Sequence, residues 1–204
     1  MHRITSTLLF SIATSVVLLM SCQQSTSENK TSSSKKEWTL GPFVKLYDQN
    51  PILTPSPELT FIDPVSGNTV AYEEKNVLNP AAVVKDSMVY LIYRAQDSLM
   101  TSRLALAVSK DGIHFEKTGA PIFYPDQDEQ YDLEWPGGVE DPRIVTTEDG
   151  GYFLTYTAYD GTTARLLSAY TKDLVHFTKH GSVFKDSKYS SIWSKSGAPI
   201  VRQE

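Results

Sequence analysis

The chain has 204 residues, 40% of them hydrophobic and 21% charged, a globular rather than a disordered composition. A formal net charge of −5 gives nucleic acid no electrostatic support as a partner. Cys22 is the only cysteine, which excludes a disulfide within the chain.

The N-terminus starts with the basic Met1-His2-Arg3, and Leu8 to Met20 then forms an apolar run of 13 residues. A membrane-spanning helix needs about 20 apolar residues, whereas a signal peptide needs about 7–15. Residues 1–21 therefore read as a signal peptide. Its end, Leu19-Met20-Ser21-Cys22, resembles a bacterial lipobox, in which the cysteine is lipidated after cleavage just before it. A plain signal peptide followed by an unrelated cysteine is the alternative. Residues 22–37 are polar and rich in serine, so they bury too little apolar surface to order themselves and read as a flexible tether. The expected product is an exported lipoprotein, held at the cell envelope by Cys22 on its periplasmic or surface face.

Residues 38–204 read as short strands. "MVYLIYRA" (88–95) and "YFLTYTAY" (152–159) are aromatic and β-branched, and "SRLALAVS" (102–109) alternates in places. "KDGIHF", "EDGG", "YDGTT" and "KHGS" supply turns. No long amphipathic helix with caps is apparent. The pattern predicts an all-β fold.

The strands repeat. With an offset of 62, residues 101–119 match 163–181 at ten of nineteen positions, where chance gives about one. Thr101, Arg103, Leu104, Ala107, Lys110, Asp111, His114, Phe115, Lys117 and Gly119 all recur. Upstream, 79–95 parallels 141–158 with one extra residue, which places Asn79 opposite Asp141. A single sheet of this size cannot bury both faces alone, so such units stack radially as β-propeller blades. Ala198-Pro199-Ile200-Val201 resembles the start of a third unit. A closed propeller needs at least four blades, so 38–204 is expected to be the N-terminal part of a larger propeller and inactive alone. A sandwich of two similar halves is the alternative.

"NPAAVV", "YRAQD", "SRLALAVSKDGIHF", "GGVEDPRIV", "TYTAYDG" and "ARLLSAYTKDLVHF" occur in the order and spacing of glycoside hydrolase family 130, which this chain resembles from about Asn50 to Glu204. The resemblance implies a five-bladed β-propeller, of which the chain covers the first two to three blades. It implies action on β-mannosides, hydrolytic or phosphorolytic, without a cofactor or metal; inorganic phosphate is a co-substrate in the phosphorolytic case. By position, Asp141 matches the family's proton donor, and Asn79, Arg94 and Arg103 match residues lining the sugar pocket. Tyr159 and Asp160 fall where loop residues approach the sugar. Lys195 sits near a phosphate-binding lysine, in different surroundings.

The residues support this chemistry in their own right. Equivalent loops of successive blades face one funnel, so one blade offers the amide of Asn79 and the next an ionisable acid, Asp141. Glycoside cleavage needs an acid for the departing oxygen and a base or phosphate opposite. Arg94 and Arg103 suit hydroxyls or anions in fixed geometry, but a close cation also favours an ionised Asp141, which neighbouring Glu140 opposes. Arg103 and Arg165 share a repeat position, so a salt bridge recurring in each blade is an equal reading for Arg103. Arg94 stands opposite Thr157 and is not a repeat constant. The Asp111/Asp173 and His114/His176 pairs read as structural turn residues. Arg143 could clamp Glu140 or reach the sugar, and Trp135 could stack on a ring or close a blade edge.

The function expected is an inverting, lipid-anchored glycosidase acting on β-mannosides or related oligosaccharides, with Asp141 as general acid. Hydrolysis is favoured because phosphorolysis conserves energy only where sugar phosphates are metabolised, inside the cell. A β-mannoside phosphorylase and a non-catalytic carbohydrate-binding lipoprotein are the alternatives.

Overall fold

The computed structural model describes residues 40–202. The chain divides into two units, Met1–Val44 and Lys45–Glu204. Of the first, residues 40–44 are described and hold no helix or strand. The expected signal peptide, the tether and Cys22 lie outside the described residues.

The second unit is nearly all β. Strands β1 (Thr60–Ile62) and β2 (Thr69–Ala71) form a hairpin. Strands β3 (Asn76–Lys85), β4 (Met88–Gln96), β5 (Ser102–Ser109) and β6 (Glu116–Phe123) form a four-stranded antiparallel meander. A single helical turn, α1 (Tyr131–Glu134), leads to a second meander of β7 (Gly138–Thr146), β8 (Tyr152–Tyr159), β9 (Ala164–Thr171) and β10 (Phe177–Ser182). These are the two blades that the repeat predicts, with β5–β6 and β9–β10 as its matching copies. The inner strands β3 and β7 lie side by side.

The expected third unit is not formed as a sheet. Residues 193–202 carry no strand. In both blades the inner strand pairs with the strand that follows it, and no described residue follows 202 to do so. The segment is fixed to the second blade instead: Thr155 Oγ1 donates to the Gly197 carbonyl at 2.5 Å, and the Ser196 amide donates to Thr157 Oγ1 at 3.3 Å. A closed ring of blades is accordingly not formed by the described residues.

Strand alternation distributes the core. Ile92, Leu104 and Leu106 face the second blade, where they pack with Val139, Leu154, Tyr156 and Leu167. Their neighbours Tyr93, Ala95, Ala105 and Ala107 face the other way, against Tyr72, Leu59 and Phe61. Burying each large apolar side chain contributes about 1.5–3 kcal/mol. Both faces of the first blade are thus covered, which explains why β4 and β5 read as nearly continuous apolar runs.

A buried polar group recurs in each blade. Glu73 accepts from Tyr93 Oη at 2.6 Å and pairs with Lys117. In the second blade Glu134 accepts from Tyr156 Oη at 2.8 Å and from Lys179 Nζ at 2.5 Å. Both carboxylates are fully buried, which their partners make tolerable. Desolvation pushes the Glu134 carboxyl up to about 7, although Lys179 and Tyr156 pull it back.

The turn dyads have a local role. Asp111 accepts from the His114 amide at 2.8 Å and from its ring Nδ1 at 2.7 Å, and Asp173 does the same for His176 at the same distances. Both are exposed turn closures, as the sequence suggests.

Candidate active site

The two inner strands are interrupted at the same place. The β3–β4 register shifts between Leu78 and Ala81, and the β7–β8 register between Glu140 and Arg143. Each bulge holds a proline, which has no N–H to donate to the ladder. Before it stands Asn79 at φ 41° or Asp141 at φ 49°. Asn and Asp are the non-glycine residues that best tolerate left-handed backbone. The backbone therefore admits either residue here.

The bulges bring these two side chains together. Asn79 Nδ2 donates to Asp141 Oδ1 at 2.6 Å. Arg94 NH1, from β4, lies 3.6 Å from the same oxygen. On the other carboxylate oxygen, Ser196 Oγ stands at 3.5 Å and Lys195 Nζ at 3.8 Å. Asp141 is 5% exposed, so these contacts act in a partly desolvated setting.

Glu140 lies beside this carboxylate. Arg94 NH2 donates to Glu140 Oε1 at 2.6 Å, and Arg94 Nε donates to Ser102 Oγ at 2.9 Å. Burial raises the Glu140 carboxyl above its ordinary range; Arg94 opposes this, the Asp141 charge adds to it and Lys195 opposes it. Gly138 makes the approach of β7 to Ser102 possible. Its φ is 99°, and a Cβ there would stand 2.1 Å from the Ser102 carbonyl oxygen.

Of the expected site residues, Asn79, Arg94 and Asp141 meet, and Lys195 joins them. Arg103 does not line the pocket. It is 1% exposed, and its guanidinium donates to Asp63 at 2.6 Å and Asp97 at 2.8 Å. Burial pushes the Asp63 carboxyl up, but Arg103 and Ser66 together hold it below its usual value. Asp160 is likewise committed to structure. It accepts from the Thr162 and Thr163 amides at 2.8 and 2.7 Å and from Arg165 at 2.6 Å. Asp97–Arg103 and Asp160–Arg165 are one salt bridge repeated in both blades. Burial acts to raise the Asp160 carboxyl, yet those hydrogen bonds hold it well below the usual range.

Tyr159 ends β8 at the blade rim. Its hydroxyl donates to the Gly161 carbonyl at 2.9 Å, and its ring lies 6.1 Å from that of Trp193. Arg143 donates to the adjacent Pro142 carbonyl at 2.7 Å, and the clamp on Glu140 belongs to Arg94. Ser102 and Ser196 are site neighbours that sequence reasoning missed. Neither carries a distinctive signal: Ser102 begins a strand, where serine is common, and Ser196 lies in a segment without a strand.

Residues 45–203 match the family Glyco_hydro_130, described as beta-1,4-mannooligosaccharide phosphorylase. A 1,2-beta-oligomannan phosphorylase of Thermoanaerobacter sp. (strain X514) is 33% identical over 125 residues, covering 56% of this chain and 40% of that protein. A putative glycoside hydrolase from Parabacteroides distasonis superposes with a TM-score of 0.74 at 42% identity, over 78% of this chain and 48% of the other. A structure described under mannoside phosphorylases that include glycoside hydrolases targeting beta-1,2 mannosidic linkages in Candida mannan gives a TM-score of 0.75 at 40% identity, over 78% and 47% of the two chains. The chain thus spans about half the length of these structures.

Proposed function

We propose, on the premise that the chain belongs to glycoside hydrolase family 130, that the complete protein cleaves β-mannosidic linkages with Asp141 as its proton donor. The observation that carries the reading is the carboxylate of Asp141, set on a bulge and surrounded by Asn79, Arg94, Lys195 and Ser196. A buried carboxyl held on one oxygen by Asn79 at 2.6 Å keeps a fixed orientation, which suits delivery of a proton along one direction. Asn79 orients the carboxyl. Arg94 supplies N–H groups that suit a sugar hydroxyl or an anion.

An inverting cleavage also needs a base or a phosphate on the opposite sugar face. Glu140 is committed to Arg94, so we assign that role to the part of the family fold that this chain does not span. Hydrolysis of β-1,2-mannosides is the first reading. Its support is the 40% identity to the structure described for such hydrolases. Phosphorolysis is the second, supported by the 33% and 28% identical phosphorylases of Thermoanaerobacter. Export and anchoring through a lipidated Cys22 belong to the same proposal and favour hydrolysis.

The test is incubation of the complete protein with β-1,2-mannobiose, with and without inorganic phosphate. Mannose alone, at a rate independent of phosphate, supports hydrolysis. Mannose 1-phosphate supports the second reading. Tight binding of the disaccharide without turnover contradicts both and fits a binding lipoprotein.

A further inference from the structure

Glu140 is an acid beside the reaction centre to which the proposed chemistry gives no task. Neighbours on a regular strand point to opposite faces. Here the bulge at Asp141 breaks that alternation, and both carboxylates reach one guanidinium. Arg94 spends Nε on Ser102 at 2.9 Å and NH2 on Glu140 at 2.6 Å, which leaves NH1 3.6 Å from Asp141. Ser102 is itself held: it accepts from Gln96 Nε2 at 3.3 Å and donates to Glu140 at 3.4 Å. Glu140 is 7% exposed and Ser102 is fully buried, so the hold on Arg94 is shielded from water.

We propose that Glu140 is a positioning residue: together with Ser102 it fixes the Arg94 guanidinium so that NH1 faces the Asp141 carboxyl. The inference rests on the reading of Asp141 as proton donor. Pairing one guanidinium nitrogen with Glu140 and another with Ser102 fixes the plane of Arg94 and leaves NH1 to face Asp141. The charged groups facing Glu140 are Arg94 from β4, Asp141 from its own strand and Lys195 from the segment beside β8.

Glu140→Gln in the complete protein keeps the shape and removes the charge. Two substrates separate its effects: β-1,2-mannobiose, whose leaving oxygen needs a proton, and β-mannosyl fluoride, whose fluoride leaves without one. The expected result is a loss of about tenfold in kcat on mannobiose, a KM within about twofold, and undiminished turnover of the fluoride. Ser102→Ala, which loosens Arg94 from its other side, should lower kcat on mannobiose in the same selective way by a smaller factor. Wild-type kcat on mannobiose in Glu140→Gln overturns the proposal. So does an equal loss on both substrates, which marks a merely structural role. Full mannobiose turnover by Asp141→Asn would instead overturn the reading of Asp141, whatever Glu140→Gln does.

Discussion

Asn79 and Asp141 occupy the same bulge in successive blades, and the amide of the first donates to the carboxylate of the second at 2.6 Å. One repeat position thus supplies both the carboxylate and the amide that hydrogen-bonds it. Asn79→Ala should remove a hydrogen bond to a charged group, worth about 1.5–3 kcal/mol, or roughly 10- to 100-fold in turnover if it is made in the transition state. Steady-state kinetics on β-mannobiose check this.

Arg103 should behave as a stability residue. Removing it leaves Asp63 and Asp97 buried without their cation, a loss of about 3–5 kcal/mol. Arg103→Met should lower the denaturant midpoint sharply while the surviving folded enzyme keeps its KM. A raised KM at unchanged stability would return Arg103 to the sugar pocket.

Glu134 makes a pH prediction whose sign follows from its burial. Its folded-state carboxyl is raised from about 4.5 to about 7, so folding favours the protonated form. The stabilisation from that preference is complete below about pH 4.5 and is lost as pH rises to about 7. Glu134→Gln, which keeps a hydrogen-bonding group without the titration, should show no such decline. Urea midpoints of the two proteins from pH 4 to 8 compare them directly; parallel curves would contradict the assignment.

Gly138 links fold to site. An added Cβ meets the Ser102 carbonyl, and φ 99° is strained for any L side chain. Gly138→Ala should destabilise by roughly 2 kcal/mol or more and also lower turnover, because Ser102 holds Arg94. Thermal unfolding together with kcat on β-mannobiose measures both losses.

The blades were legible because their turns repeat chemically. Asp111, His114, Lys117 and their partners 62 positions later each close a turn or hold a buried acid, and such tasks constrain residue type. The same offset paired Asn79 with Asp141. It also made Arg103 and Arg165 recognisable as a recurring arginine, for which a salt bridge in each blade was an equal reading, but it did not reveal Asp160 as the partner. Asp63 lies 40 residues before Arg103 and comes from the β1–β2 hairpin turn, which has no counterpart in the second blade. Glu73 and Glu134 were overlooked for a related reason. They stand outside the aligned segments, in connections of different local sequence, so only the folded blades reveal them as equivalent. Ser196 reaches Asp141 through chain geometry that no local pattern encodes.

Whether Asp141 is the proton donor is decided by Asp141→Asn in the complete protein, assayed on β-1,2-mannobiose and β-mannosyl fluoride side by side. The expected result is a fall of roughly a hundred- to ten-thousandfold in kcat on mannobiose, the usual contribution of a general acid, with fluoride turnover kept within a few fold. Mannobiose turnover at the wild-type rate would contradict it.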